Sequence, residues 1–263
     1  MEISLQERIY NITQECLPGL SIECVILGYD DHQLKTLIFK SRGEFSYSLP
    51  GGFIQNEEDV EEAAARIVQD RTGLVSLYLK QFHVFGAKNK SYTQLGNYPG
   101  QLDSLMQKLG IAENQAIKDW FSKRLVTIGF YALVEIQKQH PIADPLFESC
   151  EWISVEELPD LFLAQNETVK KALEHIRIQL HYQPISQSLL PDKFTMSELQ
   201  NLYEIILGKN LVRSNFQRKM LGLGFFIRKE KKKTGSANKA PFLYSFDQEK
   251  YEIALLQGIG FRL

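Results

Sequence analysis

The stretch LPGGFIQNEEDVEEAAARIVQDRTGL, residues 49–74, decides how the chain reads. Leu49-Pro50-Gly51-Gly52 ends an extended approach in a glycine turn. From Asp59 to Thr72, the residues Val60, Ala63, Ala64, Ile67 and Val68 recur at the spacing of one helical face. Gly73 supplies the residue at which a helix stops. The acids Glu57, Glu58, Asp59, Glu61 and Glu62 crowd the first turn, where the helix dipole favours negative charge without any metal. The segment therefore predicts strand, glycine turn and helix.

Upstream, a short amphipathic opening leads to Ser21–Leu27, a β-branched apolar run that reads as a buried strand. The turn Asp30-Asp31-His32 then separates it from a second strand at 34–39. Downstream, Val75 to Phe85, Leu125 to Ile136 and Glu151 to Ser154 predict strands, and Glu156 to Leu163 and Glu167 to Gln179 predict helices. The sum is an α+β layered domain. Between Lys88 and Arg124 lies a polar stretch with helical pieces around Leu102 to Leu109 and Asn114 to Ser122, read as an insertion. Pro184 and Pro191 interrupt regular structure between His181 and Asp192, which places a linker there. With 263 residues exceeding the usual single domain, the expected organisation is 1–180, a linker at 181–192, and 193–263.

Composition narrows the class. Hydrophobic residues at 44% and charged residues at 24% are ordinary for a globular chain. The most apolar stretch, Leu125 to Val134, is about half the length of a membrane span, so no membrane association is expected. Glu2 and Glu7 stand where a secretory leader is basic, and Cys16, Cys24 and Cys150 form no CxxC pair. Reduced thiols and a cytoplasmic location follow as expectations. The net charge of −2 hides an asymmetry: residues 209–239 hold ten Lys or Arg against Glu230 alone. Nine net positive charges there leave eleven net negative ones elsewhere, a polarity that suits one small module meeting a polyanion.

That basic segment sits in a second pattern. Thr195 and Glu198 form a capping box ahead of Leu199, Leu202, Tyr203 and Ile206, and Gly208 ends the stripe. After the turn Lys209-Asn210-Leu211, a second helix places Phe216, Met220 and Leu223 inward, and Ser214, Gln217 and Arg218 outward, flanked by Arg213, Asn215 and Lys219. Phe225 to Lys229 and Phe242 to Phe246 predict two strands, with Arg228 on the first. The loop between them carries Lys231, Lys232, Lys233 and Lys239. Helix, tight turn and helix with an outward Arg/Gln face can set base-reading side chains in a major groove, and a basic wing can hold phosphates.

Gly52, Glu58, Arg66, Gly73 and Leu74 fall at the spacing G-x5-E-x7-R-E-U-x-E-E-x-G-U, so residues 18–178 resemble the Nudix family. The resemblance implies a Nudix-like α/β/α sandwich. The family's chemistry needs clustered carboxylates for divalent cations, at positions that here hold Ile67, Asp70 and Arg71. One acid of three remains, so neither metal nor any other cofactor is expected and the box reads as degenerate. Binding without cutting is the implied activity. The residues expected from position to line the pocket are Lys40, Arg42, Glu44, Phe45, Ser48, Phe53, Gln55 and Phe85, which suit a sugar or an ADP-ribose-like ligand.

Joined to Phe194-Thr195, Glu198-Leu199-Gln200, Leu202-Tyr203-Glu204 and Asn215-Phe216, the whole chain resembles the Nudix-related transcriptional regulators, with a C-terminal winged helix-turn-helix domain. That resemblance implies a homodimeric repressor of a metabolic operon, double-stranded operator DNA as partner, and a pentose or ADP-ribose as effector. Val212 departs from the pattern, standing where an acidic helix cap is usual, and the insertion at 88–124 is larger than expected. The competing readings are a Nudix-type nucleoside-diphosphate hydrolase with a rearranged metal site, and an RNA-binding or protein-interaction adaptor.

Overall fold

The computed structural model describes residues 5–30, 32–41, 47–88, 106–107, 114–145, 147–182, 187–232 and 240–257. Elements follow in the order α1 (Leu5–Glu15), β1 (Cys16–Asp30), β2 (Gln33–Ser41), β3 (Tyr47–Ser48), β4 (Gly51–Gln55), α2 (Val60–Thr72), β5 (Lys80–Phe85), α3 (Gln115–Ser122), β6 (Val126–Val134), β7 (Phe147–Ser154) and α4 (Gln165–Gln179). Then come β8 (Phe194–Thr195), α5 (Met196–Leu207), α6 (Arg213–Gly222), β9 (Phe226–Lys231), β10 (Phe242–Phe246) and α7 (Gln248–Gln257).

The chain divides into two compact units: Met1–Ile26, Thr36–Ala132 and His140–Ala172 in one, and Leu27–Lys35, Leu133–Gln139 and Leu173–Leu263 in the other. The first is built on a sheet of order β3-β2-β1-β6-β5, with β4 on β1 and β7 on β2. Val25 and Ile26 of β1 and Leu37, Ile38 and Phe39 of β2 are fully buried in succession, so both faces of these strands are covered. That burial explains why they read as continuous apolar runs and not as alternating ones. Gly51, Gly52 and Phe53 of β4 lie antiparallel to Glu23, Ile22 and Ser21 of β1. Helix α2 has the predicted bounds to within a residue. Glu62 accepts from the Asp59 amide at its start (3.0 Å), and Gly73 closes it in the left-handed conformation.

Two expectations fail locally. Residues 75–79 are not strand; only Lys80–Phe85 is. Ser76 has positive φ, and Val75 and Tyr78 are 62% and 85% exposed, so this piece leaves the sheet. Residues 156–163 are not helix. Pro159 breaks it, the Asn166 side chain binds the Leu161 amide (2.7 Å) and the Pro159 carbonyl (2.8 Å), and only a 3₁₀ turn at Phe162–Ala164 forms.

In the second unit α5 begins with the predicted box: Thr195 Oγ1 accepts from the Glu198 amide (3.2 Å) and Glu198 Oε2 from the Thr195 amide (2.6 Å). It ends at Gly208. The sheet order is β8-β10-β9, and Phe194, Phe225, Phe226, Phe246 and Tyr251 pack ring against ring upon it. Tyr203 of α5 meets Phe216 of α6 at 5.3 Å. Phe216 and Met220 are buried as expected, whereas Leu223 lies past the helix end and is only half-buried. The tip of the β1–β2 hairpin belongs here too, with His32 Nδ1 3.3 Å from the Asn201 side chain.

Candidate effector site and nucleic-acid interface

The retained box residues form a scaffold. Arg66 grips Glu58 with two parallel bonds, Nε to Oε2 (2.8 Å) and Nη2 to Oε1 (2.6 Å). The same Nη2 donates to the Phe53 carbonyl (3.0 Å), and Glu58 Oε1 accepts from the Gln55 amide (2.6 Å). One ion pair thus pins the loop between β4 and α2. The guanidinium holds the Glu58 carboxyl below the usual carboxylate range. Asp70 meets Arg66 at 3.4 Å and is 58% exposed, as a surface partner would be.

The positions that would carry metal-binding carboxylates are filled by other interactions. Ile67 is 2% exposed, and its Cγ1 lies 3.1 Å from where a Cβ on Gly52 would sit. Glycine is what lets helix and strand approach there, and the isoleucine plugs the gap. Arg71 donates from Nε to the Gly51 carbonyl (3.2 Å) and from Nη1 to Asp144 Oδ2 (2.8 Å), while Arg8 Nη1 donates to Asp144 Oδ1 (2.9 Å). A guanidinium thus occupies the carbonyl and carboxylate oxygens that a hard cation would need. These residues do not fit a divalent metal. Among the described residues, no group of three or more His, Cys, Asp or Glu side chains converges to hold one.

The expected pocket residues are spread along the sheet. Lys40 on β2 pairs with Glu148 (3.2 Å), and Ser48 on β3 is buried opposite Phe39. Phe85 lies on β5, two strands beyond β1, with its ring against Phe82 and His83. Gln55 faces Cys16 in register. Phe53 of β4 meets Trp120 edge-on at 4.7 Å and Phe121 at 5.9 Å, so helix α3 supplies an aromatic pair beside this strand. Arg42, Glu44 and Phe45 lie outside the described residues, as do Lys233, Lys239 and most of 88–124. Arg8, Asp144, Trp120 and Phe121 are not singled out by the sequence. Only the helical spacing at 114–122 hints at any of them, because a pairing across 136 residues leaves no local pattern.

In the second unit, the turn between α5 and α6 is tied from the α5 side. Glu204 Oε1 accepts from the Leu211 amide (2.7 Å), and Gln200 Nε2 donates to the Leu211 carbonyl (2.9 Å). On α6, Arg213, Ser214, Asn215, Arg218 and Lys219 are exposed and Gln217 is half-buried. Arg218 Nη2 donates to Asn215 Oδ1 (3.1 Å), which fixes both side chains on the outer face. Val212 precedes the helix without a side-chain cap and is 66% exposed. At the strand pair, the Arg228 guanidinium lies 3.3 Å above the Phe242 ring, with Lys231 Nζ at 5.4 Å from the same ring. Lys232 reaches Glu198 Oε1 (2.7 Å). Burial would raise the Glu198 carboxyl, but the bonds from Lys232 and Thr195 outweigh it and hold the group lowered.

Fold and site together define a Nudix-type sheet domain whose metal positions are closed, carried with a winged helix whose outer helix is cationic. The chain belongs to the Nudix domain family, which it matches over residues 21–175, and residues 187–246 match the NrtR DNA-binding winged helix domain. It is 28% identical over 247 residues to the ADPR responsive transcriptional repressor NtrR of Acinetobacter baylyi, spanning 89% of this chain and 84% of that one. Among solved structures, NrtR of Shewanella oneidensis complexed with a 27mer DNA is similar, with a TM-score of 0.63, 22% identity and coverage of 89% and 95%. A MutT/nudix family protein from Enterococcus faecalis matches with a TM-score of 0.58, 19% identity and coverage of 93% and 94%. These two show the shared fold.

Proposed function

We propose that this protein is a transcriptional repressor that binds operator DNA through its winged helix and releases it in response to ADP-ribose, bound but not hydrolysed in the Nudix domain. The observation that carries the non-catalytic reading is Arg71, bonded to Gly51 and Asp144 where a metal-binding carboxylate would stand. The repressor relative from Acinetobacter baylyi supports the DNA and ADP-ribose parts of the reading. In this proposal Arg213, Ser214, Asn215, Gln217, Arg218 and Lys219 face the major groove, and Arg228, Lys231, Lys232, Lys233 and Lys239 face phosphates. The protein acts as a cytoplasmic homodimer, with effector sensing assigned to 1–180 and DNA binding to 193–263, about a linker at 181–192. Effector binding shifts the population able to span two half-sites.

The test is a thermal-shift titration with ADP-ribose, arabinose and ribose, with and without Mg²⁺, followed by the effect of the stabilising compound on DNA retardation. Stabilisation by ADP-ribose without metal, with release of DNA and no loss of nucleotide, is the expected result. Metal-dependent consumption of ADP-ribose would make the chain a hydrolase.

A further inference from the structure

Arg71 of α2 and Arg8 of α1 converge on one carboxylate. Asp144 is 4% exposed and accepts from both, so the trio carries one net positive charge around a buried counter-ion. The guanidiniums are not buried with it: the Arg71 side chain is 22% exposed and that of Arg8 38%. Arg71 engages Gly51 and Asp144 through Nε and Nη1, and Arg8 engages Asp144 through Nη1. Among the described residues, Nη2 of Arg71 and Nε and Nη2 of Arg8 hold no hydrogen-bond partner. Two cationic forks with donors left over, beside the Gly51 start of β4, have the geometry with which arginine takes phosphate oxygens. A clamp serving only to tie α1 to α2 would need neither the surplus charge nor the surplus donors.

We propose that Arg71 and Arg8, held in place by Asp144, form an anion subsite that takes the diphosphate of the effector directly. The guanidinium does for the bound ligand what a divalent ion does in a hydrolase, neutralising its charge, but without activating water. Fixing the forks in advance lowers the ordering cost of binding. This inference rests on the effector reading above, and it names the part of the effector that this corner of the domain holds.

The experiment is calorimetric titration of the full chain in EDTA with ADP-ribose, inorganic pyrophosphate and ribose, for the wild type, Arg71→Gln, Arg71→Lys and Arg8→Gln. The wild type is expected to bind ADP-ribose and pyrophosphate but not ribose. Each glutamine variant is expected to lose about 10- to 100-fold in affinity for both anionic ligands, the range for removing one charged hydrogen-bond set. Arg71→Lys, which keeps the charge and loses the fork, is expected to lose less. Arg8→Gln, at a partly exposed position on α1, keeps the test open if Arg71→Gln does not fold. Unchanged ADP-ribose affinity in the folded variants would overturn the subsite and leave the effector reading standing. Arginine-dependent binding of pyrophosphate without ADP-ribose binding would keep the subsite and remove that effector. Binding that requires Mg²⁺ overturns the subsite.

Discussion

Replacing Arg66 by methionine tests whether the retained box residues are scaffold or chemistry. Methionine keeps most of the apolar stem but removes four charge-assisted bonds, two to Glu58, one to the Phe53 carbonyl and a longer one to the exposed Asp70. It leaves a carboxylate that is 11% exposed, still accepting from the Gln55 amide but stripped of its counter-ion. Breaking a fully buried pair costs about 3–5 kcal/mol. Arg66 is 29% exposed, so solvent screening trims this, and roughly 2–3 kcal/mol is expected. For a chain of this size each kcal/mol moves the melting midpoint by about 2–4 °C, so the first unit should melt roughly 5–10 °C lower. The sign of the pH dependence follows from the lowered Glu58 carboxyl. A depressed folded-state value stabilises fully above the unfolded carboxyl value of about 4.3 and is lost as pH falls through the folded value. The gap between wild type and Arg66→Met is therefore fully present at neutral pH and closes as pH falls through the carboxylate range. Urea melts followed by circular dichroism at pH 7, 5 and 3.5 read both effects. An unchanged midpoint at pH 7, coupled with loss of a metal-dependent diphosphate hydrolysis, would refute the scaffold argument.

Three further outcomes concern the second unit. Thr195→Ala removes the cap of α5 and is expected to cost about 1 kcal/mol in thermal or chemical unfolding, with Thr195→Ser recovering most of it. Arg218→Ala is expected to weaken operator binding about tenfold or more in fluorescence anisotropy, while ADP-ribose affinity stays as in the wild type; equal operator affinity would remove α6 from the recognition role. Alanine at Lys231, Lys232 and Lys233 together is expected to lower affinity for all DNA sequences alike. It should also flatten the salt slope by about 0.9 for each phosphate no longer neutralised, whereas sequence-selective weakening would argue for base recognition there.

Local signals were legible and long-range ones were not. The helix at 59–72, the capping box at Thr195 and Glu198, and the glycine stop at 208 depend on neighbours within four residues, and all three appear in the structure. The inward pair Phe216 and Met220 was legible for the same reason. Residues 75–79 misled because apolar composition resembles strand, although Val75 and Tyr78 face solvent. Residues 156–163 carry helix-favouring side chains, and Pro159 overrides them. At the site, the loss of carboxylates at 67 and 71 could be read, but what replaced their bonds could not. Asp144 sits in the irregular segment His140-Pro141-Ile142-Ala143-Asp144-Pro145, with no periodicity to mark it, and its partners come from α1 and α2.

The replacements at the box are coupled to one another, and that coupling distinguishes a rebuilt site from a site merely stripped of its acids. Deleting the carboxylates alone would leave the Gly51 carbonyl and one oxygen of the buried Asp144 carboxylate without the Arg71 guanidinium, and under-paired buried charge is costly for a fold. Arg71 answers both oxygens at once, and Arg8 takes the second oxygen of Asp144. Ile67 fills the space over Gly52 that an acid reaching for a metal would have left wet. Returning a glutamate to position 71 alone would take one guanidinium from Asp144 and set two carboxylates against each other. Acid at 67 would be buried against Gly52 with no metal to offset its desolvation. Reversion residue by residue is therefore expected to cost stability first, because the bonds of Arg71 and Arg8 to Asp144 and the packing of Ile67 on Gly52 depend on one another.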